Sequence, residues 1–186
     1  MISRRLMIAG LMGFACGCAG GTGALAAGRD EAFAVIPLAR HEKAMRHAIA
    51  AARRNPAAPF GAVITRISDG EVLAEGVNST ARNPILHGEI ATMNDYVRRH
   101  GNRNWQAGIL YTTAEPCCMC MGALVWAGIG GVVFGTSING LRRAGIHQID
   151  IASDVVSAAS PFWHGEIRGG VLADETDLLF TERKLT

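Results

Sequence analysis

The chain reads as an α/β protein, and three observations carry that reading. Short β-rich runs alternate with stretches whose apolar residues fall at helical spacing. The later connections are long enough to hold a helix, which points to parallel strand pairing. Finally, His87-Gly-Glu89 and Pro116-Cys117-Cys-Met-Cys120 each follow a strand and open a helix, and open α/β sheets gather their working groups at that edge.

With 186 residues there is room for one domain with a real core. Residues 1–26 stand apart from it. Arg4 and Arg5 give a basic start, an apolar Gly-rich run follows, and Ala24-Leu-Ala26 is a small-residue cleavage pattern. This is the pattern of a signal peptide. Ser3-Arg4-Arg5 resembles a twin-arginine leader, with an ordinary secretory signal as the alternative. The glycines interrupt the run as a spanning helix, so no permanent membrane span is expected, and the mature protein is expected to be periplasmic or secreted.

Without Arg4 and Arg5, the 18 basic residues become 16 against 16 acidic ones. A neutral chain with scattered Arg pairs lacks the basic stripe that grips a phosphate backbone, which weighs against a nucleic-acid partner. Cys16 and Cys18 would leave with the leader. Cys117, Cys118 and Cys120 then remain within four positions, and no disulfide framework can be built from them. Cys118 reads as a small packing residue.

Residues 27–40 read as a loose lead-in with a break at Pro37, and the domain as 41–186. Over 41–54, Ala44, Met45, Ala48, Ile49 and Ala52 share one side of a helix, which Asn55, Pro56 and Pro59 stop. Runs at 60–65 and 71–77 flank Ser68-Asp69-Gly70, turn chemistry for a hairpin. Pro84 keeps the loop 79–86 from turning helical early. A second helix over 87–99 offers Ile90, Met93 and Val97 as its packing face, with His87 and Glu89 in its first turn. A buried strand over 108–113 leads to Pro116 and a third helix over 117–126, whose first turn suits proline. After a strand at 130–135, short helices are expected at 141–148 and 153–159, a fifth strand within 166–172 and a closing helix over 173–184. A second His-Gly-Glu triplet at 164–166 has no cysteine pair to answer it. It reads as a loop, with Phe162 and Trp163 either a lid that stacks on a planar ring or a plain packing pair.

His87, Cys117 and Cys120 are the candidate metal ligands. Zinc prefers nitrogen and sulfur donors in a tetrahedron, and a catalytic site uses three protein ligands so that the fourth position can hold water. The Cys-x-x-Cys spacing offers two thiolates from one helical turn, and a helix N-terminus favours both. Glu89, two residues past the ligating histidine, is placed to hold and move a proton of the bound water.

The pattern H-x-E followed by P-C-x-x-C is known from zinc nucleobase deaminases. At these residues the chain resembles the cytidine deaminase-like superfamily, in the branch of guanine, cytosine and tRNA-adenosine deaminases. Pro59-Phe-Gly-Ala-Val63, Gly76-Val-Asn78, Thr113-Ala-Glu-Pro116 and Gly122-Ala123 extend the resemblance over about 41–180. It implies a three-layer α/β/α fold with a mixed five-stranded sheet, one zinc per chain and a homodimer. By position, Asn78 matches an asparagine that hydrogen-bonds the substrate base. Gly88 stands where the family usually has alanine, with a backbone N–H expected to contact the base. The aromatic-rich tail expected of guanine deaminases is not visible in 181–186.

The function implied is hydrolytic deamination of a small-molecule base or nucleoside. A zinc-activated water adds to the ring carbon bearing the amino group, while Glu89 protonates a ring nitrogen and then the departing amine. A tRNA-specific adenosine deaminase is the alternative within enzymes. An exported Cys-x-x-Cys thiol-disulfide protein would leave His87, Glu89 and Asn78 idle, and a purely structural zinc site would normally add a fourth ligand.

Overall fold

Side-chain alternation along the central strand sets the layers. In β3 (Gly108–Ala114) every residue is buried, because both faces of the sheet are covered. Ile109 and Tyr111 point into one layer and Leu110 into the other, the period of two that a strand imposes. The flanking strands, β1 (Gly61–Arg66) and β4 (Gly131–Thr136), follow suit. Val63 and Val133 join Ile109, whereas Ala62, Ile64 and Val132 join Leu110. The computed structural model describes residues 33 and 35–183, so the leader expected at 1–26 lies outside the described residues.

β2 (Val72–Val77) and β5 (Glu166–Arg168) complete a five-stranded sheet of order β2-β1-β3-β4-β5. β1 is antiparallel to both β2 and β3, while β3, β4 and β5 are parallel. The sheet is therefore mixed, as expected. α1 (Leu38–Ala52) and α6 (Ala173–Thr181) cover one face; α2 (Gly88–His100), α3 (Cys118–Ala127) and α5 (Ser153–Ala158) cover the other. α4 (Ile138–Arg143) sits at the edge, its Leu141 packed with Ala114 and Phe180. Among the described residues no helix is long and apolar enough to cross a membrane.

This register brings several chain segments to one edge. Gly61 pairs with Val77, Ala62 with Thr112, and Ala114 with Thr136. The start of β1 and the ends of β2, β3 and β4 therefore lie together, and the loops that leave them build one cavity.

The structure revises several expectations. The lead-in is packed rather than loose: Phe33 and Ile36 are buried in the α1 layer, and Pro37 is the N-cap of α1. The helix after β4 covers Ile138–Arg143, not 141–148, because Ser137 caps it by accepting from the Gly140 N–H at 3.1 Å. The fifth strand is only three residues long and the closing helix stops at Thr181. α3 begins at Cys118, so Pro116 precedes the N-cap Cys117 instead of occupying the first turn. Cys118 is half-buried. On α2 the buried stripe is Gly88, Glu89, Thr92 and Tyr96, whereas Val97 is 43% exposed. His87 and Glu89 must face inward, and the residues one and two turns below them follow.

Candidate metal centre and active site

Two helix starts meet at the sheet edge, and each places one ligand at its N-cap. His87 is the N-cap of α2 and Cys117 that of α3; neither side chain caps its own helix. Both are thus left to point outward from the helix end, while Cys120 sits one turn further along α3. A ring nitrogen of His87 and the Sγ atoms of Cys117 and Cys120 all lie within 4.8 Å of one another. Cys117 Sγ is 3.7 Å from His87 Nδ1. Two ligands of one tetrahedral zinc, at about 2.3 Å for sulfur and 2.0 Å for nitrogen, stand roughly 3.5 Å apart. The donor set and its spacing therefore fit zinc.

Charge supports the same fit. The Cys117 thiol is lowered to about 4, chiefly by its hydrogen bond with Cys120 and also by that with His87, against the opposing effect of burial. Cys120 is pushed up, by the same bond with Cys117 and by burial. His87 is raised, foremost by its bond to Cys117. One sulfur is thus poised as thiolate and the protons on its neighbours are what a dication replaces.

Glu89 is 3% exposed and lies outside the converging donor set. Burial, its largest influence, raises the carboxyl above its ordinary value. The Thr112 hydroxyl donates to Glu89 Oε1 at 3.5 Å. Thr112 shares its strand face with Leu110, so alternation along β3 aims it at α2.

The cavity at this edge has a volume of about 230 Å³ and reaches His87, Glu89, Cys117, Asn78, Phe60 and Gln148, among others. Asn78 is 8% exposed. Its Oδ1 accepts from the Thr80 N–H at 3.2 Å and hydroxyl at 2.9 Å, which orients the amide. Gly88 is where α2 approaches the start of β1 most closely: a Cβ there would meet the Phe60 carbonyl oxygen at 2.5 Å. Glycine at this position lets α2 lie close against the strand.

Sequence reasoning missed Glu115 as an anchor. One of its oxygens accepts from the Ile138 N–H at 2.9 Å, the other from the Ser153 N–H and hydroxyl, each at 2.9 Å. It ties the starts of α4 and α5 to the strand that delivers Cys117. The expected lid is not formed by Phe162 and Trp163. Both precede β5, at the sheet end opposite the site, and Trp163 is buried with its indole N–H donating to the Ile129 carbonyl at 2.8 Å. Phe162 stacks on Trp126. Ile146, His147 and Gln148, after α4, line the cavity instead; their one sequence signal was a polar pair, His147-Gln148, inside an apolar run.

A mixed five-stranded sheet whose edge presents one histidine and two cysteines from two helix starts defines a cytidine deaminase-like protein. The chain belongs to the family of the cytidine and deoxycytidylate deaminase zinc-binding region, whose pattern matches residues 38–136. It is 34% identical over 99 residues to guanine deaminase of Bacillus subtilis, a match covering 52% of this chain and 62% of that one. It is 36% identical over 81 residues to tRNA-specific adenosine deaminase of Streptococcus pyogenes, covering 42% of this chain and 50% of that one. The chain thus spans between half and two thirds of these relatives. The solved guanine deaminase of Nitrosomonas europaea superposes with a TM-score of 0.68 at 23% identity, over 76% of this chain and 82% of that one; this likeness shows the fold.

Proposed function

We propose that the protein is a zinc-dependent hydrolytic deaminase of a small-molecule base or nucleoside, with one zinc per chain held by His87, Cys117 and Cys120. The observation that carries the reading is the buried Glu89 carboxyl, raised by burial, at the same cavity as His87 and Cys117. When bound, zinc supplies a water whose pKa falls to roughly 7. Glu89 would be the group that holds and moves the protons, first to a ring nitrogen of the substrate and then to the departing amine. Thr112 holds the carboxyl in position; Asn78, which lines the cavity, would hold the ring, together with the Gly88 N–H that the family resemblance assigns to it. The cavity of about 230 Å³ is small against the ~300–1,000 Å³ common for drug-sized ligands, and it suits one ring.

A tRNA substrate is the nearest rival, supported by the relative from Streptococcus pyogenes and opposed by the neutral charge of residues 27–186. A thiol-disulfide role gives the buried Glu89 no work. Export through residues 1–26 is proposed on their sequence pattern. A homodimer is proposed on α3, which is apolar all round. Met119, Gly122, Ala123 and Trp126 form its outer stripe, with Trp126 81% exposed, and such a helix calls for cover. Sedimentation of the full chain should give a dimer that Trp126→Glu splits.

The test of the activity is ammonia release by the zinc-loaded chain from bases, nucleosides and a tRNA anticodon stem, with Glu89→Ala as control. Turnover of a small molecule that vanishes in the control supports the reading. Turnover confined to the tRNA sinks it.

A further inference from the structure

The loop that walls the cavity between α4 and α5 is held at both ends by one side chain. Ile146, His147 and Gln148 border the cavity, and little within the loop itself keeps them there. From His147 to Ile151 the backbone makes one hydrogen bond among the described residues, a local one from the Ile151 N–H to the Ile149 carbonyl at 2.9 Å. The Arg142–Asp150 ion pair at 2.7 Å is exposed at both ends, and such pairs contribute little. A second cavity, of about 330 Å³, borders Ile138 and Asn139 at the start of α4 and Asp150, Ile151 and Ala152 ahead of α5. The two feet of the loop therefore stand beside open space, where packing does not fix them.

Glu115 supplies what the loop lacks. Its backbone N–H donates to the Thr136 carbonyl at 2.7 Å, extending the contact of β3 with β4, so the carboxylate projects from a rigid base. The residue borders both cavities. One oxygen accepts from the N–H of Ile138, the first residue of α4; the other accepts from the N–H and hydroxyl of Ser153, the first residue of α5. Hydrogen bonds to an ionised acceptor are about twice as strong as neutral ones. Both feet are tied to the strand that delivers Cys117, and none of the three bonds goes to α2 or α3, which carry the ligands.

We propose that Glu115 is a positioning residue for the cavity wall: by holding the starts of α4 and α5 to the end of β3, it fixes Ile146, His147 and Gln148 in place and sets how tightly a ring is held. The inference rests on the deaminase reading and deepens it, adding a residue that acts on binding and not on the proton transfers. A wall that touches the ring alike before and during reaction gives uniform binding, and its loss raises KM with kcat held. Glutamine has the shape of glutamate, but one end of its amide is an NH2 that can only donate. Whichever way it turns, one foot keeps its acceptor and the other meets a second donor.

Amide hydrogen exchange on the zinc-loaded full chain reads the wall without turnover. Glu115→Gln should speed exchange across 138–153 by roughly tenfold or more and leave α1 and α2 unchanged, with zinc content held. Ammonia release from guanine, cytosine, adenine and their nucleosides reads the consequence. On the ring that the unsubstituted chain turns over, KM should rise roughly tenfold while kcat stays within about threefold. Ser153→Ala removes one donor of the three; it should move KM the same way by about two- to threefold, and it decides the matter if Glu115→Gln does not fold. Ser137→Ala uncaps α4 without touching Glu115 and should leave KM unchanged. Unchanged exchange over 138–153, a fall in kcat with KM held, loss of zinc, or an equal rise of KM in Ser137→Ala overturns the proposal. If the unsubstituted chain releases no ammonia from any of these rings, the deaminase reading fails by itself, and exchange alone decides whether Glu115 fixes the wall.

Discussion

His87 and His41 are both withdrawn from solvent, yet one environment raises the proton affinity of its imidazole and the other lowers it. His87 stands at a helix start with a thiolate partner, and its bond to Cys117 favours the charged ring. His41 lies on the opposite face of the sheet at 0% exposure, between Phe33 and Tyr111. Its Nδ1 meets the Tyr111 hydroxyl at 2.9 Å and its Nε2 has no partner. Burial first, then the charges of Arg168 and Arg40, bring it down to about 4. The first histidine is kept ready for a cation. The second is kept neutral, as part of the packing under α1. Residue type alone does not assign either role; the neighbours do.

The comparison breaks first at the ligands. His87→Ala or Cys120→Ser should cost the bound zinc and all measurable turnover, read by metal analysis and ammonia release, while His41→Phe should retain both. Glu89→Gln comes next. General acid-base catalysis contributes roughly 10²–10⁴-fold, so kcat should fall in that range with zinc content unchanged; loss of the metal as well would mean that Glu89 is a ligand. Zinc affinity should also weaken as pH falls, because His87 and the thiols must release protons to bind.

Acid should weaken the fold through His41. A histidine whose pKa is depressed from 6.5 to about 4 in the fold contributes stability that is fully present above pH 6.5. That contribution is lost as pH falls from 6.5 toward 4. At 1.36 kcal/mol per pKa unit it amounts to about 3 kcal/mol. Urea melts of the EDTA-treated protein at pH 7 and pH 4.5 should show this acid loss, and His41→Phe should flatten it. An identical slope in the variant would assign the loss to other groups. The smallest effect is expected from Thr112→Val, which removes a 3.5 Å contact to Glu89: kcat should drop a few-fold with KM and zinc content held.

How much was legible in the sequence follows the same division. The order of strands and helices, the hairpin around Gly70 and the grouping of His87, Cys117 and Cys120 were readable, because short-range pattern decides them. The packing face of α2 was legible only in part: Met93 packs against the core as expected, whereas Val97 is exposed. Ile90 and Val97 are apolar, but the helix is turned by its first residues, and Thr92 and Tyr96 face the sheet. For Phe162 and Trp163 the packing alternative holds and the lid does not, a choice the sequence left open because an aromatic pair in a loop does not say which end of the sheet it reaches. Trp163 reaches Ile129, far from the ligands. Glu115 was visible only as part of a motif, since its partners lie 23 and 38 residues away. Gln148 was invisible for the same reason: it lines a cavity that distant segments close.

His87, Cys117 and Cys120 are proposed to hold one zinc and leave its fourth position open. A zinc K-edge absorption spectrum of the purified full chain tests it most directly. Two sulfur neighbours at about 2.3 Å, one nitrogen and one oxygen at about 2.0 Å, and a change of the light-atom shell when a tight inhibitor binds are expected. A shell filled by four protein donors, or a chain that folds and takes up no zinc, would contradict it.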